Sequence, residues 1–121
     1  VSALHHAGLE LRREDAEAEV AFWVLLGWAE VEPPDGLGER ARWVERDGAQ
    51  VHLLFSEAPS VADAGHVAVV APDYAATIAR LRAAGHEAAP RTAYWGAART
   101  QVISPAGHRV EVMAAPPAPV A

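Results

Sequence analysis

Residues 65–88 read GHVAVVAPDYAATIARLRAAGHEA, and they lay out a strand, a helix and a stop in that order. Gly65–Ala71 alternates, with Val67 and Val69 on one side and His66 and Ala68 on the other, the period of a half-buried strand. Pro72 and Asp73 start a helix, with Asp73 as the expected N-cap. Tyr74, Ile78 and Leu81, with the stem of Arg82, share one helical side, and Gly85 ends it. A short strand follows near His86–Ala88. Ala97–Ser104 and His108–Met113 then read as two strands paired through Pro105-Ala106-Gly107, ahead of a frayed tail at 115–121.

Upstream, across the small-residue connector Ser56–Gly65, the same order occurs once already. Leu4–Arg12 is a strand with Ala7, Leu9 and Leu11 on its apolar face. Glu14 and Asp15 open a helix whose stripe is Ala16, Val20, Trp23, Val24 and Gly27, with Gly27 as its stop. Trp28–Glu32 is a short strand ended by Pro33-Pro34, and Arg40–Arg46 and Gln50–Phe55 form a hairpin through Asp47-Gly48. Landmarks recur at an offset of 58 to 60 residues: His6 with His66, Gly27 with Gly85, Gly48 with Gly107, His52 with Glu111, Val51 with Val110, and Val44 with Ile103. The expectation is a single domain of two β-α-β-β-β repeats, about 4–56 and 65–114.

Strand parity then sorts the polar residues. If Ala7, Leu9 and Leu11, then Val51, Leu53 and Phe55, then Val67 and Val69, then Val110 and Val112 face the helices, His6, His52, His66 and Glu111 face away from them. Four metal-competent side chains thus fall on the non-helix face at equivalent places in the two repeats. Imidazole with carboxylate suits one divalent ion: zinc, nickel, cobalt, iron or manganese. Residues of the same parity, Gln50, Leu54, Ala68 and Met113, would wall a pocket, with Trp43, Tyr94, Trp95 and Arg99 near its mouth. Trp95 is the better aromatic candidate for substrate contact, and Trp23 reads as core. Arg99 is a candidate for neutralising an anionic substrate, although a surface place is the commoner one for arginine. His5 reads as a structural or surface histidine, and His86 and His108 as surface ones.

Composition narrows the classes. The 121 residues are 51% hydrophobic and 21% charged, the balance of a folded globular chain. The net charge is −6, every basic residue is Arg, and no basic cluster marks a nucleic-acid partner. With no cysteine, disulfides, thiolate catalysis and Cys-held metals are excluded. No apolar run approaches the ~20 residues of a membrane span, and no signal peptide is visible, so a cytoplasmic place is expected.

LHHAGLEL (4–11), QVHLLF (50–55), GHVAVVAPDYAATIARLRAAGHE (65–87) and SPAGHRVEVM (104–113) together resemble the vicinal oxygen chelate superfamily, the group of glyoxalase I, bleomycin-resistance proteins, fosfomycin-resistance enzymes, methylmalonyl-CoA epimerase and extradiol dioxygenases. In the last stretch Ser104 and Ala106 replace the two aspartates of the family's common turn, while Pro105, Gly107 and Glu111 remain. The resemblance implies an α+β fold in which two βαβββ modules form a curved, eight-stranded open cup, commonly dimeric, with a metal at its base. It places ligands at His6, His52, His66 and Glu111, in agreement with parity. Glyoxalase I and the epimerase usually carry glutamate where this chain has His52, which leaves Glu111 as the one carboxylate base, with His52 as the runner-up. The expected function is a metal-dependent glyoxalase-like lyase or isomerase acting on a small oxygen-rich metabolite, by bidentate chelation and stabilisation of an enolate or enediolate. Two alternatives stand beside it. One is a metal-free drug-binding protein of the bleomycin-resistance kind. The other is a ring-cleaving dioxygenase resting on His6, His66 and Glu111. A small molecule and a second copy of the chain are the expected partners.

Overall fold

A computed structural model describes residues 2–118; the end of the expected frayed tail, 119–121, lies outside them. Eight strands and two helices follow in the order β1 (His6–Leu11), α1 (Ala16–Leu25), β2 (Ala29–Val31), β3 (Ala41–Arg46), β4 (Ala49–Phe55), β5 (Val67–Val70), α2 (Tyr74–Ala83), β6 (Ala88–Arg91), β7 (Arg99–Ile103) and β8 (Arg109–Met113). A 3₁₀ turn, Arg13–Asp15, leads into α1. The strands form two open four-stranded mixed sheets, β1-β4-β3-β2 and β5-β8-β7-β6, so each β-α-β-β-β repeat makes one sheet. In each sheet the first strand runs parallel to the last, and the remaining pairs are antiparallel.

Glycines set the punctuation. Gly27 and Gly85 both stand at φ +90°, the left-handed stop expected after each helix. Asp47 and Gly48 both have positive φ, as a two-residue hairpin turn requires. The second hairpin instead turns over five residues, Ser104–His108, closed by Ser104 N–H donating to the His108 carbonyl at 2.8 Å. That longer turn corrects the repeat by one position. Val102, not Ile103, pairs with Val110 as Val44 pairs with Val51. Val102 is buried, and Ile103 is 48% exposed.

Both helices pack on the face expected from parity. The core joins Leu11, Val20, Trp23, Leu26, Val44, Val51 and Leu53 of the first repeat to Val69, Ile78, Leu81, Val102, Val110 and Val112 of the second. The stripe on α1 is rotated from its expected place: Phe22 and Glu19 are buried, while Val24 is half exposed. Glu19 is fully buried; its Oε1 accepts the Ala106 N–H, 2.8 Å away in the β7–β8 turn, and its Oε2 has no partner among the described residues. His108, expected at the surface, is buried, and its Nε2–H donates to the Glu10 carbonyl of β1 at 2.6 Å. His86 is half-buried, its ring edge-on to Phe22 of α1. Asp73 stands before α2 but makes no side-chain cap; it pairs with Arg80 instead. Among the described residues no helix is long and apolar enough to cross a membrane.

Candidate functional site

The registers place two rows of side chains on the helix-free faces. On the first sheet, Gly8, His52 and Trp43 stand side by side, with His6, Gln50 and Glu45 in the next row. The indole of Trp43 and the imidazole of His52 are 3.8 Å apart and 6° from parallel. His6 covers the other side of His52, 4.0 Å away at 16°. Gly8 leaves room here: a Cβ at that position would come within 3.1 Å of the Leu54 side chain.

A chain of polar contacts fixes the central ring. Gln50 Nε2 donates to Glu45 Oε1 at 2.8 Å, so its Oε1 is left as the acceptor for His52 Nε2–H, also at 2.8 Å. His52 is therefore protonated on Nε2, and its Nδ1 lone pair is free. Burial, followed by the neighbouring His6 and His5 imidazoles, holds His52 below the usual histidine range. Gln50, expected as a substrate contact, links Glu45 to His52 in this way. His5 lies on the surface, its Nδ1 2.8 Å from His6 Nδ1.

The second sheet carries the other pair. His66 lies one residue before β5, and its Nε2 is 2.9 Å from Glu111 Oε1. Its Nδ1–H donates to the Ala64 carbonyl at 2.9 Å. In a neutral ring that bond leaves a lone pair on Nε2 facing a carboxylate oxygen, an arrangement that requires a proton or a metal ion between them. A ring nitrogen held by a backbone carbonyl while the other faces outward is also the usual support for a metal-binding histidine. Arg99 Nη1 reaches the same Glu111 Oε1 at 3.2 Å. Arg99 is no surface residue. It is mostly buried, donates through Nε to the Thr92 carbonyl and lies over the rings of Tyr94 and Trp95.

The four ligand-type residues thus stand as two pairs, one per sheet. Among the described residues no three His, Asp or Glu side chains gather to hold a metal. Two cavities are lined by Glu111. One, of about 340 Å³, is apolar, walled by Ala68, Val70, Trp95, Ala97 and Met113. The other, of about 300 Å³, is polar and includes Arg91, Arg99, Gln101 and Arg109. Trp95 and Met113 thus meet in one cavity with Glu111, Arg99 enters the next, and Gln50 and Leu54 belong to the other sheet. Sequence reasoning missed Arg91 and Arg109. Parity had the signal, since Arg109 lies two residues from Glu111 on one strand.

A family model described as a glyoxalase-like domain matches residues 8–113. No curated protein sequence matches the chain. Among solved structures, one described as that of a glyoxalase family protein from Bacillus anthracis superposes with a TM-score of 0.84 at 22% identity, covering 93% of this chain and 94% of that one. The fosfomycin resistance protein FosX from Listeria monocytogenes gives 0.72 at 16% identity, over 96% and 93%. Lactoylglutathione lyase from Agrobacterium tumefaciens gives 0.69 at 18%, over 93% of each chain. At these identities the likeness is one of fold.

Proposed function

The chain belongs to the glyoxalase-like domain family, and from that premise we propose that it is a metal-dependent enzyme of the vicinal oxygen chelate type, acting as a lyase or isomerase on a small oxygen-rich metabolite. The observation that carries the reading is the matched pairing of donors, His6 with His52 and His66 with Glu111, at equivalent places on the open faces of the two sheets. The donor chemistry fits a borderline divalent ion: free Nδ1 on His52, Nε2 of a braced His66, and a carboxylate. His6, His52, His66 and Glu111 would hold it, and when bound it would supply Lewis-acid stabilisation of negative charge developing on substrate oxygen. Because each chain presents the donors as two pairs, the reading includes a homodimer in which the first pair of one copy meets the second pair of the other.

The residues supply the rest. Both contacts to Glu111 fall on Oε1, so the carboxylate is anchored by one oxygen and offers Oε2 as the base for a substrate proton. Trp95 and Met113 wall the apolar cavity beside it.

The test is metal analysis and titration of protein purified without an affinity tag. Micromolar or tighter binding of a divalent ion is expected, with about tenfold or greater loss in His66→Ala or Glu111→Gln. Mixing a His6→Ala/His52→Ala variant with a His66→Ala/Glu111→Gln variant should restore one site per heterodimer. Absence of binding by wild type overturns the proposal. One observation favours the drug-binding alternative: Glu111 Oε1 already has His66 and Arg99 as protein partners. That reading gains if wild type binds cationic aromatic compounds and no metal.

A further inference from the structure

We propose that Arg91, Arg99 and Arg109 form a binding site for an oxyanion, a phosphate or carboxylate group, immediately beside Glu111. As a statement about the substrate it rests on the function proposed above; as a statement about the cavity it stands alone.

Three arginines line the polar cavity with His66, Thr92, Tyr94, Gln101 and Glu111, so one carboxylate faces three guanidiniums. The chain as a whole carries −6, and this cavity is a local reversal of that sign. Glu111 engages Arg99 alone among them. Arg91 has only the neutral Gln101 amide, 3.0 Å from its Nη2. Arg109 makes no ion pair among the described residues, and its buried Nε has no hydrogen-bond partner.

The backbone makes this arrangement costly without a ligand. Arg91 and Arg99 are direct partners across the antiparallel β6–β7 pair, and like charges placed opposite each other destabilise a sheet. Register puts the three on one face: Arg91 opposite Arg99, Arg99 opposite Met113, and Arg109 two residues before Glu111. Arg99 is held by Thr92 and the rings of Tyr94 and Trp95, and the exposed Arg91 donates to Gln101. Arg91 and Arg109 have no acidic partner among the described residues, and guanidinium forks match the oxygens of phosphate and carboxylate. A substrate anchored there by its anionic end would present neighbouring oxygens toward His66 and Glu111, and the apolar cavity would take its carbon skeleton.

The experiment uses metal-stripped full-length protein and follows tryptophan fluorescence against inorganic phosphate and, separately, acetate, at constant ionic strength. Saturable binding of at least one probe is expected, weakened about tenfold in Arg91→Gln and in Arg109→Gln and unchanged in Arg12→Gln, a surface control. Removal of the Arg91–Arg99 repulsion predicts that Arg91→Gln melts no lower than wild type. Tighter phosphate than acetate assigns a phosphoryl group, and the reverse a carboxylate. A non-saturating response to both probes, or equal binding by Arg91→Gln and wild type, overturns the inference. Since no metal is present, these results are independent of whether the metal titration succeeds.

Discussion

Gly27 and Gly85 end the two helices with the same backbone, φ +90°, and differ in what surrounds them. A Cβ on Gly27 would lie 2.2 Å from Arg46 Nη1, which itself donates to the Leu26 carbonyl at 2.7 Å. A Cβ on Gly85 would meet nothing within 4 Å. Substitution by Ala brings the left-handed penalty of about 1–2 kcal/mol at both sites. The gain from a stiffer unfolded chain is common to both and cancels in their comparison. At Gly27 the displaced Arg46 also loses a charge-assisted bond to an otherwise unpaired helix-end carbonyl, about 1–2 kcal/mol more after allowing for partial exposure. Gly27→Ala should therefore cost about 2–4 kcal/mol and Gly85→Ala about 1–2. Urea denaturation at 25 °C measures both. In an Arg46→Ala background the cost of Gly27→Ala should fall to that of Gly85→Ala, which makes the extra term a coupling energy. Equal costs at the two glycines, or a Gly27→Ala cost that survives removal of Arg46, would refute the assignment.

Other consequences are open to measurement. The Arg42 guanidinium holds the Glu30 carboxyl below its ordinary value of 4.5; the pair's stabilisation is present above that value and lost as pH falls through the lower folded one. Because Glu30 is 40% exposed, Glu30→Gln should lower stability by only about 0.5 kcal/mol at neutral pH, and the difference from wild type should vanish once pH has fallen below the lowered folded value. His108→Ala strands the Glu10 carbonyl and opens a void; a thermal melt should show a loss of about 2 kcal/mol, whereas a surface histidine would show none. Gln50→Leu removes the acceptor that fixes His52: nitrogen NMR should show the Nε2–H preference lost, and metal affinity should fall about tenfold. Unchanged His52 ring-nitrogen shifts would contradict the Glu45–Gln50–His52 chain.

What was legible in the sequence was whatever depends on period and backbone. Alternation in the four named strands set which face His6, His52, His66 and Glu111 occupy, and the glycines set where the helices stop. What was not legible depends on partners distant in sequence. Glu19 lies outside the stripe expected of α1 and is buried, its Oε1 taken by a backbone N–H 87 residues away. His108 is buried for the same kind of reason, 98 residues from Glu10. Arg99 was weighed as a surface residue, since nothing local tells that Glu111, Tyr94 and Trp95 converge on it. Gln50 was placed by parity on the correct face, but its role required knowing that Glu45 stands opposite it across the hairpin.

The five-residue turn between β7 and β8 gives the duplication a direction. It reaches the first repeat twice, through Ala106 to Glu19 and through His108 to Glu10. The two-residue Asp47-Gly48 turn is too short to return either contact, and the residue of α2 that stands where Glu19 stands in α1 is Thr77, occupied with Asp73 of its own repeat. The two halves are thus no longer interchangeable. A chain built from two copies of the first half would lose both latches, and a chain of two second halves would carry turns with no Glu19 to receive them. The two modules divide the labour: one half supplies the clasp and the other the catch.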